Sequence, residues 1–390
     1  MRRLNLSPRR GWQERVEKIG LTYHTHDTPS GPKPYWYESA GYEFTADEID
    51  RLEAAIGRVH PLLIEAATRV VDEGRWEQLG IPAHAVPMIE RSWNADDFSL
   101  YGRFDFAWMP DGEPKLLEYN ADTPTSLVEA SVAQWYWLQD EQPRMDQFNS
   151  IHERLIAAWK RYAEVNRTVQ LIDFTSVKDN LEDEQTVSYL MDTAVQAGLK
   201  ARWSAIGDIG WDPAQQIFVT SAESSSQPVV SCFKLYPWEW LFHEDFGQYL
   251  PDAPTLWIEP PWKALLSNKA ILAIAWECFP DDPNLLPCFF DPAPLRGNHV
   301  RKPKLSREGA NVSIVRDGRV AEETSGDYGE EGYVYQAIAD IPTFNGHRPV
   351  FGGWVVDHEP AGLGIRESDS LVTNNVSRFV PHYFIPRSRG

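Results

Sequence analysis

One early segment of the chain repeats apolar residues at the spacing of an amphipathic helix. Thr45 and Glu48 have the spacing of a capping box, and apolar residues follow every three or four positions as far as about Gly74. We therefore predict a long helix over this stretch. The same periodicity predicts further helices over residues 124–138 and 151–165.

The second half of the chain has a different pattern. Residues 168–173 form a short apolar strand signal, residues 185–198 have helical spacing and a second strand signal follows, which predicts a β-α-β unit. The last third contains Gly-rich turns, an Asn345-Gly346 hairpin signal and an alternating strand over 350–357. We interpret this third as an antiparallel α+β unit.

A hairpin with one polar and one apolar face is predicted over residues 101–121. Asp111 and Gly112 are typical of a two-residue turn, and side chains alternate between the two faces of each strand. When the strands are paired outward from that turn, four polar residues share one face: Arg103, Asp105, Glu118 and Asn120. The other face, a natural core face, then carries Phe104, Phe106, Leu117 and Tyr119.

The polar face of this hairpin is a candidate metal site. In the predicted register Asp105 lies directly opposite Glu118, with Cβ atoms about 5 Å apart, where two carboxylates repel each other unless a cation lies between them. Asp, Glu and the amide of Asn120 supply the oxygen ligands that magnesium takes in proteins. The alternative is a solvated face with a loose network of arginine and carboxylate groups.

A basic segment late in the chain is a candidate phosphate site. Residues 302–311 contain three cationic side chains and Gly309, and they precede the predicted strand 312–315. Cations, together with a glycine that lets backbone N–H groups approach closely, suit phosphate oxygens. A solvated basic loop is the alternative reading, and Arg366 is one further cation among glycines.

Residues 122–126, just past the hairpin, combine an N-cap signal with Pro124 at a first helical turn. Such a helix start has two interpretations. It simply caps the predicted helix 124–138, or it also binds an anion beside the metal face.

Composition and charge narrow the classes of partner. With 390 residues, of which 42% are hydrophobic and 24% charged, the chain is long enough for two or three packed units. Its 37 basic and 57 acidic residues give a formal net charge of −20. This charge disfavours nucleic acid and anionic membrane surfaces as main partners, and it is compatible with a cationic ligand such as a polyamine.

The cysteines and the N-terminus favour a cytoplasmic protein. Cys232, Cys278 and Cys288 are odd in number and lack metal-ligand spacing, so we expect reduced, buried thiols. The first residues lack the apolar run of a secretory signal, and no segment approaches the roughly 20 apolar residues of a membrane span. We expect a cytoplasmic location and no membrane partner.

Six short motifs occur in a fixed order and cover nearly the whole chain. They lie at residues 103–105, 117–126, 234–239, 267–270, 302–303 with 306–311, and 364–368. Together they resemble the synthetase domain of glutathionylspermidine synthase. The resemblance is closer still to the stand-alone bacterial members of that family, which are described as acid–amine ligases.

The resemblance implies an α/β fold with α+β elements, namely an ATP-grasp fold in circularly permuted order with a pre-ATP-grasp α/β layer. It also implies an ATP-dependent carboxylate–amine ligase that forms an amide through an acyl phosphate and releases ADP and phosphate. Four regions are expected on this basis. They are a helical N-terminal region (1–100), a metal-binding hairpin with following helices (101–164), an α/β substrate domain (165–265) and nucleotide-binding subdomains with a closing loop (266–390).

The resemblance implies a role for each matching residue. The magnesium ligands are expected to be Asp105, Glu118 and Asn120. The ATP-binding residues are expected to be Arg103, Lys269, Lys302, Gly309, Arg366 and, on the adenine side, Gln336. The arginines expected to act in catalysis are Arg103, Arg366 and, from the closing loop, Arg307. The substrate-side residues are Thr123 and Thr125, where the family has serines near its thiol peptide, and Glu182 and Asp183, which align with a pair of glutamates on the amine side.

The family precedent for the partners is a small carboxylic acid such as the peptide glutathione and an amine such as a polyamine. The chain lacks the family's amidase domain, so hydrolysis of the product is not expected. The residue pattern is also compatible with two other functions. One is a nucleotide-binding regulatory partner with weak ATPase activity, and the other is a glycoside hydrolase that uses Asp105 and Glu118 as paired carboxylates.

Overall fold

The computed structural model describes residues 1–28, 31–110, 112–222, 225–374 and 377–387. The strands are β1 (Arg2–Asn5), β2 (Thr25–His26), β3 (Lys33–Pro34), β4 (Ala40–Thr45), β5 (Tyr101–Ala107), β6 (Lys115–Asn120), β7 (Leu171–Ser176), β8 (Lys200–Ala205), β9 (Ile209–Asp212), β10 (Ile217–Ala222), β11 (Ser225–Pro228), β12 (Ser231–Leu235), β13 (Leu256–Ile258), β14 (Cys288–Phe289), β15 (His299–Pro303), β16 (Ser313–Arg316), β17 (Arg319–Glu323), β18 (Tyr333–Gln336), β19 (Arg348–Val356), β20 (Glu359–Ser368), β21 (Arg378–Phe379) and β22 (His382–Ile385).

The helices are α1 (Trp12–Glu17), α2 (Ala46–Glu73), α3 (Trp76–Leu79), α4 (Val86–Asn94), α5 (Gln134–Glu141), α6 (Ile151–Val165), α7 (Leu181–Gln196), α8 (Trp238–Leu241), α9 (Lys263–Ser267) and α10 (Ala270–Cys278). A π-helical segment, Glu129–Ala133, precedes α5, and single 3₁₀ turns lie at Ile206–Asp208, Asp245–Tyr249 and Ala293–Leu295. The expected mixed α/β class is confirmed.

The long predicted helix is α2, and its ends are those that its sequence predicts. The Thr45 hydroxyl accepts a hydrogen bond from the Glu48 backbone N–H, which completes the capping box, and Gly74 ends the helix with φ 66°. The buried face of α2 packs close to β19. A Cβ on Gly353 would lie 2.6 Å from the Ile56 side chain, so only glycine permits this approach.

The predicted hairpin lies inside a five-stranded antiparallel sheet. The strand order is β21-β20-β19-β5-β6, so residues from the first third of the chain pair directly with residues from the last third. We call this sheet the floor, because the candidate site lies on one of its faces. Its other face carries fully buried aromatic residues such as Phe104 and Phe106.

The predicted β-α-β unit is confirmed. Strands β7 and β8 are parallel neighbours connected through α7, and they belong to a parallel sheet of order β13-β12-β7-β8. Helix α7 begins at Leu181, four residues earlier than predicted. Its first turn therefore includes Glu182 and Asp183, and this placement matters for the site.

A second antiparallel sheet has the order β14-β18-β15-β16-β17. The loop between β15 and β16, residues 304–312, contains most of the predicted phosphate segment, whereas Lys302 lies on β15 itself. We call residues 304–312 the closing loop. Smaller sheets complete the fold with the orders β1-β4-β22, β11-β10-β9 and β2-β3.

The predicted helix start at residues 122–126 is wrong. Ser126 has φ 66°, and helical structure begins only at Leu127. Asp122 does not cap this helix, because its carboxylate accepts hydrogen bonds from Lys234 Nζ at 2.6 Å and from the Trp238 backbone N–H at 2.9 Å. Residues 122–126 therefore form no helix N-terminus at which an anion could bind.

All three cysteines are free, with Cys232 and Cys288 buried and Cys278 partly buried. Within the part of the chain that the structure describes, no helix is long and apolar enough to cross a membrane.

Candidate active site

The register of the hairpin is as predicted where it matters for the site. Asp105 pairs with Glu118 and Arg103 pairs with Asn120. The connection between the two strands is longer than the predicted two-residue turn, because β5 ends at Ala107 and β6 begins at Lys115. The predicted two-residue turn includes Asp111, which lies outside the described residues.

A β-bulge in β6 corrects one prediction about the apolar face. The register shifts between Asp105 and Phe106, so that Phe106 pairs with Leu116 and Leu117 is the extra residue. Leu116 is buried in the core, whereas Leu117 lines the cavity above the floor. The prediction that Leu117 belongs to the core face is therefore wrong.

Asp105 lies on the floor between two arginines. Arg103 donates to it from Nε at 2.8 Å and from Nη2 at 3.2 Å, and Arg366 donates from Nη2 at 2.9 Å. Gly352, on the neighbouring strand β19, makes room for this arrangement, since a Cβ there would lie 3.0 Å from Cδ of Arg103. The Arg103 side chain is further fixed by a bond to the Thr125 carbonyl at 2.7 Å.

Glu118 is paired with lysine. Lys269 Nζ lies 3.3 Å from Glu118 Oε2 and also donates to the Ser306 carbonyl of the closing loop at 2.7 Å. Burial alone would raise the pKa of Glu118, but the charges of Lys269, Lys302 and the arginines outweigh it and lower that pKa to about 2. Glu118 is therefore ionised at any physiological pH.

The three predicted magnesium ligands are neighbours. Asn120 Nδ2 lies 3.5 Å from both Asp105 Oδ2 and Glu118 Oε1, and a half-turn of the amide would present Oδ1 in its place. Two carboxylates and an amide oxygen suit magnesium, which also keeps waters and substrate phosphates as ligands. Among the described residues no group of three or more His, Cys, Asp or Glu side chains is placed to hold a metal ion, so a magnesium site here would take its third protein ligand from an amide.

Lys302 is buried beneath the cavity. Its Nζ donates to the Leu117 carbonyl at 2.8 Å and to Gln336 Oε1 at 2.7 Å. Burial lowers the pKa of Lys302, and the charge of Glu118 opposes that shift. Gln336, expected on the adenine side, is itself held by a bond from Nε2 to the Leu116 carbonyl at 3.1 Å.

The closing loop lies against the cavity through Arg307 and Gly309. Arg307 donates to the Thr123 hydroxyl, and its guanidinium lies 5.6 Å from the centre of the Trp240 ring. Gly309 has φ 70°, and a Cβ there would lie 2.6 Å from the Thr373 carbonyl oxygen. This glycine therefore permits both the loop conformation and its close contact with residues 372–373.

The first turn of α7 adds further carboxylates. Burial raises the pKa of Glu182, and a hydrogen bond from the Thr125 side chain only partly offsets this effect. Burial and the nearby charge of Glu182 raise the pKa of Asp183 to about 7, although Arg307 acts in the opposite direction. We call these two residues the α7 side of the cavity, and Asp105 with Glu118 its hairpin side.

One cavity of about 540 Å³ brings these groups together. Of the predicted site residues only Lys269 does not line it, and Lys269 contacts it through Glu118. An apolar part of the wall is formed by Val300, Ile314, Ile338 and Ile341. The cavity thus contains an apolar recess, a cluster of cations with the carboxylates Asp105 and Glu118, and a separate pair of carboxylates, Glu182 and Asp183.

Some lining residues were missed by sequence reasoning. Trp240 and Glu308 both line the cavity, and Glu239 lies beside it, 3.8 Å from Arg307 Nε. Glu239 belongs to the 234–239 motif, but the sequence predicted no role for it. Its pKa is raised by burial, against the opposing charge of Arg307. The motif was the only signal in the sequence, because the contact joins residues far apart in the chain.

Comparison with known proteins identifies the family. The family model described as glutathionylspermidine synthase preATP-grasp matches residues 3–385. The chain belongs to this family. The resemblance drawn from the six motifs is thereby confirmed.

Two relatives show how the glutathionylspermidine synthase family varies. A Haemophilus influenzae protein named "Putative acid--amine ligase" is 40% identical over 388 residues, and the match covers 96% of each chain. The "Bifunctional glutathionylspermidine synthetase/amidase" of Escherichia coli is 25% identical over 380 residues, which span 89% of this chain and 59% of that protein. Both names agree with the expected class of carboxylate–amine ligase.

A solved structure supports the fold. A glutathione synthetase-like effector of Globodera pallida, GSS30 in its apo form, superimposes with a TM-score of 0.59 over 97% of this chain and 98% of its own. The sequence identity is 11%, so this likeness concerns the fold alone. It agrees with the expected ATP-grasp type of architecture.

Proposed function

We propose that the protein is an ATP-dependent carboxylate–amine ligase that works through an acyl phosphate. A carboxylate oxygen of the first substrate forms a bond to the γ-phosphorus of ATP while the bond from that phosphorus to ADP breaks. The amine nitrogen then bonds to the acyl carbon, phosphate leaves with the electron pair of the broken C–O bond, and the nitrogen loses a proton. The products are an amide, ADP and phosphate.

The observation that carries this proposal is the charge arrangement on the hairpin side. Asp105 and Glu118 oppose each other on the floor, and Arg103, Arg366 and Lys269 surround them in or beside one cavity. Phosphoryl transfer requires positioning and stabilisation of charge on phosphate oxygens more than covalent chemistry by the protein. Fixed cations beside a candidate magnesium site are suited to that task.

Magnesium would be held by Asp105, Glu118 and Asn120. When bound, it neutralises negative charge on the phosphates of ATP. Arg103 and Arg366 are already oriented by Asp105, so their remaining N–H groups are free to contact phosphate or carboxylate oxygens from the substrate side.

The α7 side would receive the amine. An attacking amine must be neutral, and an acceptor for its proton works best when its pKa lies near the working pH. Asp183, with a pKa of about 7, meets that condition. Glu182 beside it is suited to holding a second ammonium group of a polyamine.

The closing loop would keep water from the acyl phosphate. Arg307 contacts Thr123, and the loop backbone accepts a hydrogen bond from Lys269. These contacts join the loop to Thr123, just past the hairpin, and to Lys269, the partner of Glu118. Exclusion of water matters here because an acyl phosphate that meets water is hydrolysed without forming an amide.

The substrate pair proposed first is a peptide with a free carboxylate, such as glutathione, and a polyamine, such as spermidine. Support comes from the name of the Escherichia coli relative and from the carboxylates on the α7 side. The proposed reaction is condensation only, without hydrolysis of the product.

The test is phosphate release from magnesium-ATP against a matrix of small carboxylates and amines, with mass spectrometry of the products. A pair that stimulates release and yields a mass equal to the sum of both substrates less one water establishes the ligase. ATP binding with slow, unstimulated hydrolysis would instead favour the nucleotide-binding regulatory protein. Absence of any ATP binding would overturn the proposal.

The glycoside hydrolase alternative conflicts with the surroundings of its carboxylates. That reaction needs one carboxyl group that is protonated near neutral pH. Glu118 has a pKa lowered to about 2, and both oxygens of Asp105 accept hydrogen bonds from arginine. Neither group is suited to act as the acid.

A further inference from the structure

We propose that Gln336 is a positioning residue for Lys302 and does not read the nucleotide base. This inference rests on the proposed function, because it assigns Gln336 to the binding of the phosphates of ATP. It differs from the adenine-side role that the family resemblance implies for this residue.

The contacts of the Gln336 amide carry the inference. Its oxygen accepts from Lys302 Nζ at 2.7 Å, and its nitrogen donates to the Leu116 carbonyl at 3.1 Å. The lysine has only donors and the carbonyl only acceptors, so these two partners fix which end of the amide faces which group. The side chain is 2% exposed and is thus held between strands β15 and β6.

The second partner of Lys302 comes from the bulge in β6. Its Nζ donates to the carbonyl of Leu117, the extra residue of that bulge, at 2.8 Å. Two of the three N–H groups of the ammonium are therefore occupied by protein acceptors, and one remains. The bulge carbonyl and Gln336 together aim that remaining N–H group.

This arrangement matters because a lysine side chain is long and flexible. A free ammonium group would lose conformational entropy when it binds a phosphate, and a side chain already held in place loses less. Lys302 also lies among like charges, because Lys269 acts on its pKa in the lowering direction. A neutral amide holds the lysine there and leaves its positive charge uncompensated. A carboxylate in the same position would neutralise that charge.

The experiment compares two nucleotides in one variant. Gln336→Met keeps the approximate length of the side chain but removes both hydrogen bonds of its amide. ITP differs from ATP in its base, which lacks the exocyclic amino group of adenine. Isothermal titration calorimetry with magnesium-ATP and magnesium-ITP reports affinity separately from the fraction of competent protein. We expect both affinities to fall by the same factor, about tenfold or more.

A double-mutant cycle removes the remaining ambiguity. In a Lys302→Met background, Gln336→Met should have almost no further effect on affinity for either nucleotide, because its partner is already gone. Gln134→Met is the matched control. Gln134 is also a buried glutamine with an engaged amide, but it does not line the cavity, so its loss should leave nucleotide affinity unchanged.

The outcomes distinguish failure of the positioning role of Gln336 from failure of the proposed ligase function. Selective loss of ATP affinity with ITP affinity unchanged, or full additivity of the two substitutions, would overturn the positioning role and leave the proposed function intact. A wild-type protein that binds neither nucleotide would overturn both.

Discussion

The hairpin side and the α7 side of the cavity hold the same kind of side chain in opposite surroundings. On the hairpin side, lysines and arginines overcome the effect of burial and lower the pKa of Glu118 to about 2. On the α7 side, burial and the charge of Glu182 raise the pKa of Asp183 to about 7. One cavity thus contains a carboxylate that is permanently ionised and another that exchanges its proton near neutral pH.

The difference separates two tasks within one reaction. Carboxylates surrounded by cations suit a metal ion and the orientation of arginines, whereas a carboxylate that titrates near neutral pH suits proton transfer. The cause lies in the elements that contribute to each side. Cations from β5, β15, β20 and the start of α10 surround Glu118. The carboxylates in the first turn of α7 lie near another carboxylate, Glu308, which raises their pKa values, and nearby arginines only partly oppose that effect.

The largest expected effect comes from neutralising the hairpin side. Glu118→Gln should reduce magnesium-dependent ATP turnover by about 10³-fold or more, because it removes one of two opposed carboxylates from the candidate metal site. The readout is ADP formation, with near-ultraviolet circular dichroism to confirm the fold. Glu277→Gln, at an exposed ion pair with Arg75, is the control and should keep full activity. Unchanged turnover in Glu118→Gln would refute the metal assignment.

A buried ion pair that belongs to neither side of the cavity should contribute to the stability of the fold. Asp122 and Lys234 are both almost fully buried, with Nζ 2.6 Å from Oδ1. Lys234→Met leaves that carboxylate buried without its cation and should lower the free energy of unfolding by about 3–5 kcal/mol. Urea denaturation measures the change. Arg387→Met, which breaks two exposed ion pairs with Asp47 and Asp50, should cost less than about 1 kcal/mol, and equal costs would show that burial of the pair is unimportant.

The α7 side should impose its own pH dependence. Because the pKa of Asp183 is raised to about 7, this carboxylate loses its charge as the pH falls through 7, and kcat/KM for the amine should fall with it. Asp183→Asn should remove that acidic limb and lower kcat/KM at pH 8 by about tenfold. Asp192→Asn, on an exposed face of the same helix, is the control. An acidic limb that persists in Asp183→Asn would assign it to another group.

The smallest expected effect concerns the closing loop. Arg307→Ala removes the contacts with Thr123 and Glu239, so more of the acyl phosphate should be lost to water. The ratio of ADP formed to amide formed should rise above one, about twofold to threefold. Arg301→Ala, on β15 but away from the cavity, should leave the ratio at one. A ratio of one in both variants would argue against a role in water exclusion.

Elements with local signals were predicted well from the sequence. The capping box of α2, the period of α6 and the β-α-β unit depend on neighbouring residues, and each has its predicted type. The pairing of Asp105 with Glu118 was also predicted, although the strands end before the assumed turn and a bulge shifts the register beyond Asp105. The prediction counted outward from the assumed turn, and the extra residue in the bulge, Leu117, makes that count correct at Asp105 and Glu118.

Features that depend on tertiary contacts were not predictable from local patterns. The pairing of Asp122 with Lys234 overrides the helix-start signal of residues 122–126, and the roles of Glu239 and Trp240 depend on where the closing loop lies. Nothing in the sequence near Leu117 signals a bulge. The ligand, nucleotide and substrate roles of the individual residues stay predictions until the variants above are measured.

The bulge at Leu117 has a consequence for changes in chain length. Because the extra residue lies between the site and the loop, the loop at residues 108–114 is separated from the part of β6 that bears Glu118 and Asn120. Insertions in that loop should leave the polar face intact, as surface connections tolerate them. Deletion of Leu117 would remove the bulge and leave Leu116 and Glu118 in regular alternation opposite Phe106 and Asp105, so both faces of β6 would be kept. The deletion would instead remove the carbonyl that accepts a hydrogen bond from Lys302 Nζ at 2.8 Å. A change of length in the loop should thus be tolerated, whereas the loss of one residue at the bulge should disturb the anchoring of Lys302.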